Sequence, residues 1–282
     1  MSKQFDKNEV IQNKKEAIKS LNKMLEKFIN DSTGNNLKKA NLLSYWIKDY
    51  VQMISFEDKF DPKRNISYKR GNIVKVDFGF NIGAEYGGLH YGIVLDKNNA
   101  HRSPVVTVIP LTSVKDSKVP HSNSVYLGNE IYRSLKLKYD TIFKALKEEQ
   151  EEISVTLHLF EILVDTTTKM VKELYDFEQG TDKFNQKLID ARNSLNEAEA
   201  LQDSWEEKEN HNKEQQEYLN KIGLEISHMK KGSIALVNQI TTISKIRIFD
   251  PRNLKGVLSG ISLSTENMEK INKKIKDLYV IN

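Results

Sequence analysis

The chain has 282 residues, 38% hydrophobic and 29% charged, enough for one large domain or two small ones under a heavily charged surface. It has no cysteine, which excludes structural disulfides and cysteine-ligated zinc and suits a reducing, cytoplasmic compartment. The net charge of +4 is unevenly spread: residues 131–230 hold 14 Lys/Arg and 21 Asp/Glu, so this segment is at −7 and the remainder at +11. A basic body attracts phosphates, and an acidic segment either repels them or is simply a solvated helical hairpin. The opening MSKQFDKNEV contains no apolar run, so no secretory signal is read there. The longest apolar stretch, Ile153 to Val164, includes His158 and Glu161 and falls short of the ~18 residues of a membrane span.

In chain order, Val10, Ala17, Ile18, Leu21, Met24, Leu25 and Phe28 recur at helical spacing and predict an amphipathic helix over 8–30. Asp31 to Gly34 ends it with turn formers. A second helix is expected over 36–56, with Leu43, Trp46, Ile47, Tyr50, Val51 and Ile54 as its packing face. Asp61-Pro62 breaks it, and Phe60 to Ser67 reads as a linker.

Strand signals then begin. Val74, Val76 and Phe78 alternate with Ile73, Lys75 and Asp77, a half-buried strand in which Asp77 suits a hydrogen-bond acceptor. Gly79 to Gly88 is a loop with four glycines, which lets backbone N–H groups approach a ligand closely. His90 to Asp96 is a second strand, and 96–104 a polar loop. Val105 to Leu111 is almost wholly apolar, as expected of a strand covered on both faces, and ends in two hydroxyls, Thr112 and Ser113. Val125 to Leu127 is a further short strand.

The strand pattern now stops for about a hundred residues. Tyr139, Phe143, Leu146, Gln150, Ile153, Leu157, Phe160, Val164, Thr167, Val171 and Leu174 recur in steps of four and three, a heptad seam. Gly180 suits a helix C-terminus, and Thr181 or Asp182 the next N-cap. A second seam runs through Phe184, Leu188, Ala191, Leu195, Ala198, Gln202 and Trp205 to Leu219. Near-equal arms about a glycine turn predict an antiparallel coiled-coil hairpin. Gly232 to Gln239 and Ser244 to Ile248 then read as two more strands, and Ser264 as the cap of a last helix.

The expected fold is therefore α+β: a small antiparallel β-barrel core with N-terminal helices, an inserted coiled-coil hairpin and a C-terminal helix. Its divisions are 1–60, helical; 68–129 plus 231–282, the discontinuous barrel; and 130–230, the insertion.

The segments Arg70 to Phe78, Gly83-Ala-Glu-Tyr-Gly-Gly88, His90 to Leu95, Ser103-Pro104, Leu111-Thr-Ser113, Leu236-Val-Asn-Gln239 and Ile243-Ser-Lys245, in this order, resemble the MazF/PemK toxins. The resemblance spans about 68–129 and 230–280. It implies an SH3-like barrel of the PemK/CcdB type and a toxin of a type II toxin–antitoxin system. It also implies a cytoplasmic endoribonuclease that cleaves single-stranded RNA, including mRNA, without metal or other cofactor, by attack of the 2′-hydroxyl on the adjacent phosphorus. A homodimer and an antitoxin partner are implied with it, and the chain's own acidic hairpin is a further candidate inhibitor.

That chemistry needs a base for the 2′-hydroxyl, an acid for the leaving 5′-oxygen and donors or cations at the phosphate. The family's Arg after the Gly-Gly pair is His90 here, and its usual Pro is Tyr91; Thr112 matches the family's hydroxyl at the end of the apolar strand. Arginine offers a fixed bidentate charge, whereas histidine offers a titratable proton. His90 and Thr112 are thus the candidate catalytic pair, with phosphate charge drawn from Arg70, Lys97, Arg102 or Lys115. Glu85, Ser113 and Gln239 complete the candidate RNA-binding set. The remaining histidines, His101, His121, His158, His211 and His228, have no metal-ligand spacing, so no metal is expected. Two other readings stay open: a non-catalytic RNA- or protein-binding module of the same fold, and a gyrase-poisoning toxin acting at DNA. The tryptophan-free ending Leu-Tyr-Val-Ile-Asn disfavours the second.

Overall fold

A computed structural model describes residues 5–114 and 121–280. Two long helices come first, α1 (Lys7–Ile29) and α2 (Leu37–Glu57). The Asp6 carboxylate caps α1 by accepting from the Glu9 N–H. The strands are β1 (Ile73–Asp77), β2 (Leu89–Val94), β3 (Val105–Ser113), β4 (Ser124–Gly128), β5 (Ser233–Leu236), β6 (Thr241–Ser244) and β7 (Ile248–Asp250). Between β4 and β5 lie α3 (Glu130–Glu173) and α4 (Asp182–His228), and α5 (Thr265–Tyr279) follows β7. Among the described residues, no helix is long and apolar enough to cross a membrane.

The chain divides into two compact units: residues 1–112, 235–253 and 275–282 in one, and 113–234 and 254–274 in the other. In the first unit, β3, β2, β1 and β7 lie side by side, antiparallel, with β6 also on β3. The expected barrel is not closed: the described strands form an open path with two ends. The segment expected as one strand over 244–248 is broken by a tight 3-10 turn at Lys245–Arg247, with the Ser244 hydroxyl accepting from the Ile246 N–H, so that β6 lies on β3 and β7 on β1. The strand expected over 232–239 likewise ends at Leu236 and turns through Val237–Gln239.

One face of this sheet packs Val74, Val76, Val94, Val106, Val108, Ile243 and Ile248 with Tyr68 and Phe78 into a continuous apolar core. At ~25 cal/mol per Å² of apolar surface removed from water, this is the main stabilising term of the unit. Lys245, fully buried, braces the 96–104 loop: its Nζ donates to the Ala100 carbonyl at 3.1 Å and lies 5.6 Å from the Tyr68 ring. Burial lowers its pKa.

The packing face expected of α2 is only partly used. Ala40 and Leu43 are buried, whereas Tyr50, Val51 and Ile54 remain exposed, and α1 buries none of its residues.

In the second unit, α3 and α4 run antiparallel. Glu173 pairs with Lys187, Thr167 with Ser194, Glu152 with Lys208 and Glu149 with Asn212, a register that decreases along one helix as it rises along the other. The Thr181 hydroxyl accepts from the Phe184 N–H, so Thr181 is the N-cap of α4. The inward rows differ from the expected seam in part. Tyr139, Leu146, Ile153, Leu157, Phe160, Thr167 and Leu174 are buried or half-buried as expected, and Ile142, Glu149, Thr156, Leu163 and Met170 join them. Phe143, Gln150, Val164 and Val171 are exposed, as are Leu188, Leu195 and Gln202 on α4, where Lys187, Ser194 and Leu201 turn inward. The apolar stripe is wider than the seam, and sequence spacing alone picked its outer edge. Ser264 caps α5 through the Asn267 N–H.

Candidate active site

The candidate site lies where the core face of the sheet runs out. The β1–β2 register pairs Val76 with His90, and the β2–β3 register pairs Val94 with Val108 and Gly92 with Pro110. Carried two residues outward, that register sets His90 opposite Thr112. Side chains two apart on a strand share a face. The face that is Val94 and Val108 deep in the core therefore becomes Gly92 and Pro110, then His90 and Thr112 at the edge.

Tyr86 closes this edge. Its ring meets Phe78 edge-on at 5.8 Å and lies tilted against the His90 ring at 4.6 Å. Its hydroxyl donates to the Leu111 carbonyl at 2.6 Å and also reaches the Thr112 side chain. Tyr86 thus touches both members of the expected pair. Burial raises its pKa against the opposing effect of the Thr112 hydrogen bond, so the phenol stays protonated at neutral pH. His90 is solvent-exposed on its outer side, yet partial desolvation lowers its pKa below the ordinary 6.5. The imidazole is therefore neutral at pH 7 and able to accept a proton.

The glycine loop holds Tyr86 in place. Phe78 N–H donates to the Gly88 carbonyl at 2.9 Å and Gly88 N–H to the Gly79 carbonyl at 2.7 Å. A Cβ on Gly87 would sit 2.6 Å from the Gly79 carbonyl oxygen, so only glycine permits this approach. The Asp77 carboxylate accepts from Gly79 N–H at 2.8 Å, as its strand-end position suggested. Gln239 reaches the same loop from across the sequence: its Oε1 accepts from Tyr86 N–H at 3.3 Å and its Nε2 donates to the Ala84 carbonyl at 3.4 Å.

A polar cavity of about 590 Å³ opens beside Tyr86, with Glu85, Asn81, Gln239, Ser244 and Arg247 on its walls. Arg247 Nη1 donates to the Phe78 carbonyl at 3.3 Å. Among the described residues it is the cation lining this cavity, and a strand expected over 244–248 gives no local signal that singles it out. Tyr86 likewise lies outside the expected set, although it stands within the Glu85-Tyr-Gly-Gly motif.

The structure does not bring the expected cations here. Arg70 precedes β1 and donates to the Leu95 carbonyl, Lys97 follows β2, and Arg102 precedes β3. All three sit at the opposite end of these strands from His90 and Thr112. Lys115 falls outside the described residues. Ser113 ends β3 beside Thr112, its side chain on the alternate face.

One comparison finds a likeness: residues 69–145 match the family model of the PemK-like, MazF-like toxins of type II toxin–antitoxin systems. The PemK-like match takes in β1 to β4 and the start of α3, hence His90 and Thr112. It leaves out α1, α2, Gln239 and Arg247. The family consists of toxins that are typically ribonucleases. No curated protein matches the chain.

Proposed function

We propose that the chain is a toxin-type endoribonuclease that cleaves single-stranded RNA at the edge formed by His90, Tyr86 and Thr112. The observation that carries this reading is Tyr86, whose ring and hydroxyl touch a neutral histidine and the strand-end threonine together. His90 takes the proton from the ribose 2′-hydroxyl, the new O2′–P bond forms, and the P–O5′ bond breaks to leave a 2′,3′-cyclic phosphate. The leaving 5′-oxygen takes its proton from water in the open site. Thr112 donates to a phosphate oxygen, and Arg247 supplies the charge that the family's arginine would give. Gln239 and the glycine loop position Tyr86 and thereby His90. No step calls for a metal. An antitoxin partner and a homodimer are part of the same reading.

The test is RNA cleavage by the purified chain in EDTA. Products with cyclic phosphate ends that vanish in His90→Ala and Thr112→Ala support the assignment. Cleavage that survives both changes removes these residues from the mechanism. A binding module without catalysis is the second reading, favoured by histidine in place of the arginine. It predicts RNA retention by the wild-type chain with no products at any pH.

A further inference from the structure

The cavity beside Tyr86 does not end there. Asn81 and Glu85 also line a second cavity, walled by Tyr45 and Trp46 of α2, Phe80 and Phe249. Asp49 and Phe249 in turn line a third, of about 470 Å³, that runs between α2 and the 245–252 segment past Met53, Phe56, Phe60, Arg64 and Arg252. The three cavities adjoin at these shared residues, within a single compact unit, and form a chain of pockets referred to below as the groove.

Two features of the groove point to one ligand class. Aromatic faces recur along it: Phe249, Tyr45 and Phe56 are exposed, the Trp46 ring stacks on Tyr50 at 5.2 Å, and Phe56 meets Phe60 edge-on at 6.2 Å. Arginines alternate with them, Arg247 at the inner end and Arg252 and Arg64 further out, with the Arg252 guanidinium 5.6 Å from the Phe249 ring. Aromatic platforms for bases, interleaved with guanidinium groups for phosphates, are the arrangement that holds a single-stranded nucleic acid without reading its sequence. Four carboxylates also line these cavities: Asp61, already accepting from the Lys63 N–H, Asp77, accepting from the Gly79 N–H, Glu85, accepting from the Ile82 N–H, and Asp49, shared by two of them. An acidic peptide would meet all four as like charges, whereas an RNA strand can place bases, not phosphates, beside them.

We propose that single-stranded RNA leaving the His90–Thr112 edge runs along this groove, with α2 as its outer wall. The inference rests on the RNA reading above and adds to it a binding track that the PemK-like segment does not itself contain. Nucleotides flanking the cleaved bond stack on Phe249 and the α2 aromatics, and Arg64 and Arg252 hold their phosphates.

The experiment uses the full chain carrying Trp205→Phe, which leaves Trp46 as the only tryptophan. The probe is a 15-nucleotide 2′-O-methyl RNA of mixed sequence, which cannot be cleaved. The groove predicts quenching of Trp46 fluorescence, a loss of affinity of about five- to a hundredfold in Phe249→Ala or Phe56→Ala, and a salt slope smaller by about one in Arg64→Glu. Cleavage of a trinucleotide, too short to enter the groove, stays at the wild-type rate in these variants. Equal binding of the 2′-O-methyl RNA by wild type, Phe249→Ala and Arg64→Glu, with the trinucleotide still cleaved, overturns the groove and leaves the catalytic reading standing. Trp46 quenching by an acidic aromatic peptide but not by RNA overturns it too. Groove binding without any cleavage supports the track and removes the catalytic reading instead.

Discussion

In the helical hairpin, inward residues recur every three and four positions from Phe184 to Ile222, and each meets a neighbour whose place follows from the one before. At the sheet edge, Tyr86 meets His90, Thr112 and Gln239 and shares a cavity wall with Arg247, residues from five separate places that strand register and two tight turns bring around it. The hairpin is therefore a structure of local contacts, repeated, in which single losses stay local. The edge is a structure of non-local contacts, where moving one residue displaces several. Buried polar pairs illustrate the contrast. Thr167 and Ser194 bond to each other at 2.7 Å, yet the Thr167 hydroxyl also donates to the Leu163 carbonyl. The Tyr86 phenol instead joins three strands' worth of residues through one side chain.

The difference can be tested in order of expected effect. His90→Ala should lower cleavage by roughly 10²- to 10⁴-fold, the usual contribution of a positioned general base, with near-native circular dichroism. Gly87→Ala comes next: the added methyl meets the Gly79 carbonyl, so the urea midpoint should fall by the equivalent of about 1–3 kcal/mol and cleavage should drop with it. Wild-type cleavage in that variant would show that the loop does not position Tyr86. Ser194→Ala in the hairpin should cost only about 1 kcal/mol, because Thr167 keeps its backbone acceptor, and should leave cleavage untouched. Lys187→Ala removes an exposed pair with Glu173 and should leave the melting temperature unchanged.

Acidity gives a further discriminator. Because burial lowers the His90 pKa, the free enzyme should lose activity as pH falls through a value below 6.5, not at or above it. The sign for stability is the same. The unfolded chain binds the His90 proton more readily than the folded one, so this contribution is intact above 6.5 and fades as pH drops through the folded pKa. An NMR titration placing the His90 pKa above 6.5 would contradict both statements.

The amino-acid sequence by itself determined the parts governed by short-range rules. Strand alternation located β1 and an apolar run located β3, Thr181 and Ser264 announced their helices, and the heptad spacing marked both long helices, because each signal is carried by residues within a turn or two of one another. It also determined that a histidine, His90, follows the Gly87-Gly88 pair by two residues. Tertiary structure alone decided which flank of the apolar stripe turns inward, since Leu188 and Lys187 differ in hydrophobicity in the wrong sense. It alone broke 244–248 into a turn, with β6 on β3 and β7 on β1, and it alone placed Arg247 beside Tyr86 while leaving Arg70, Lys97 and Arg102 at the far end of the strands. Which charge faces which edge depends on register and crossover between distant segments, and no local pattern of residues encodes that.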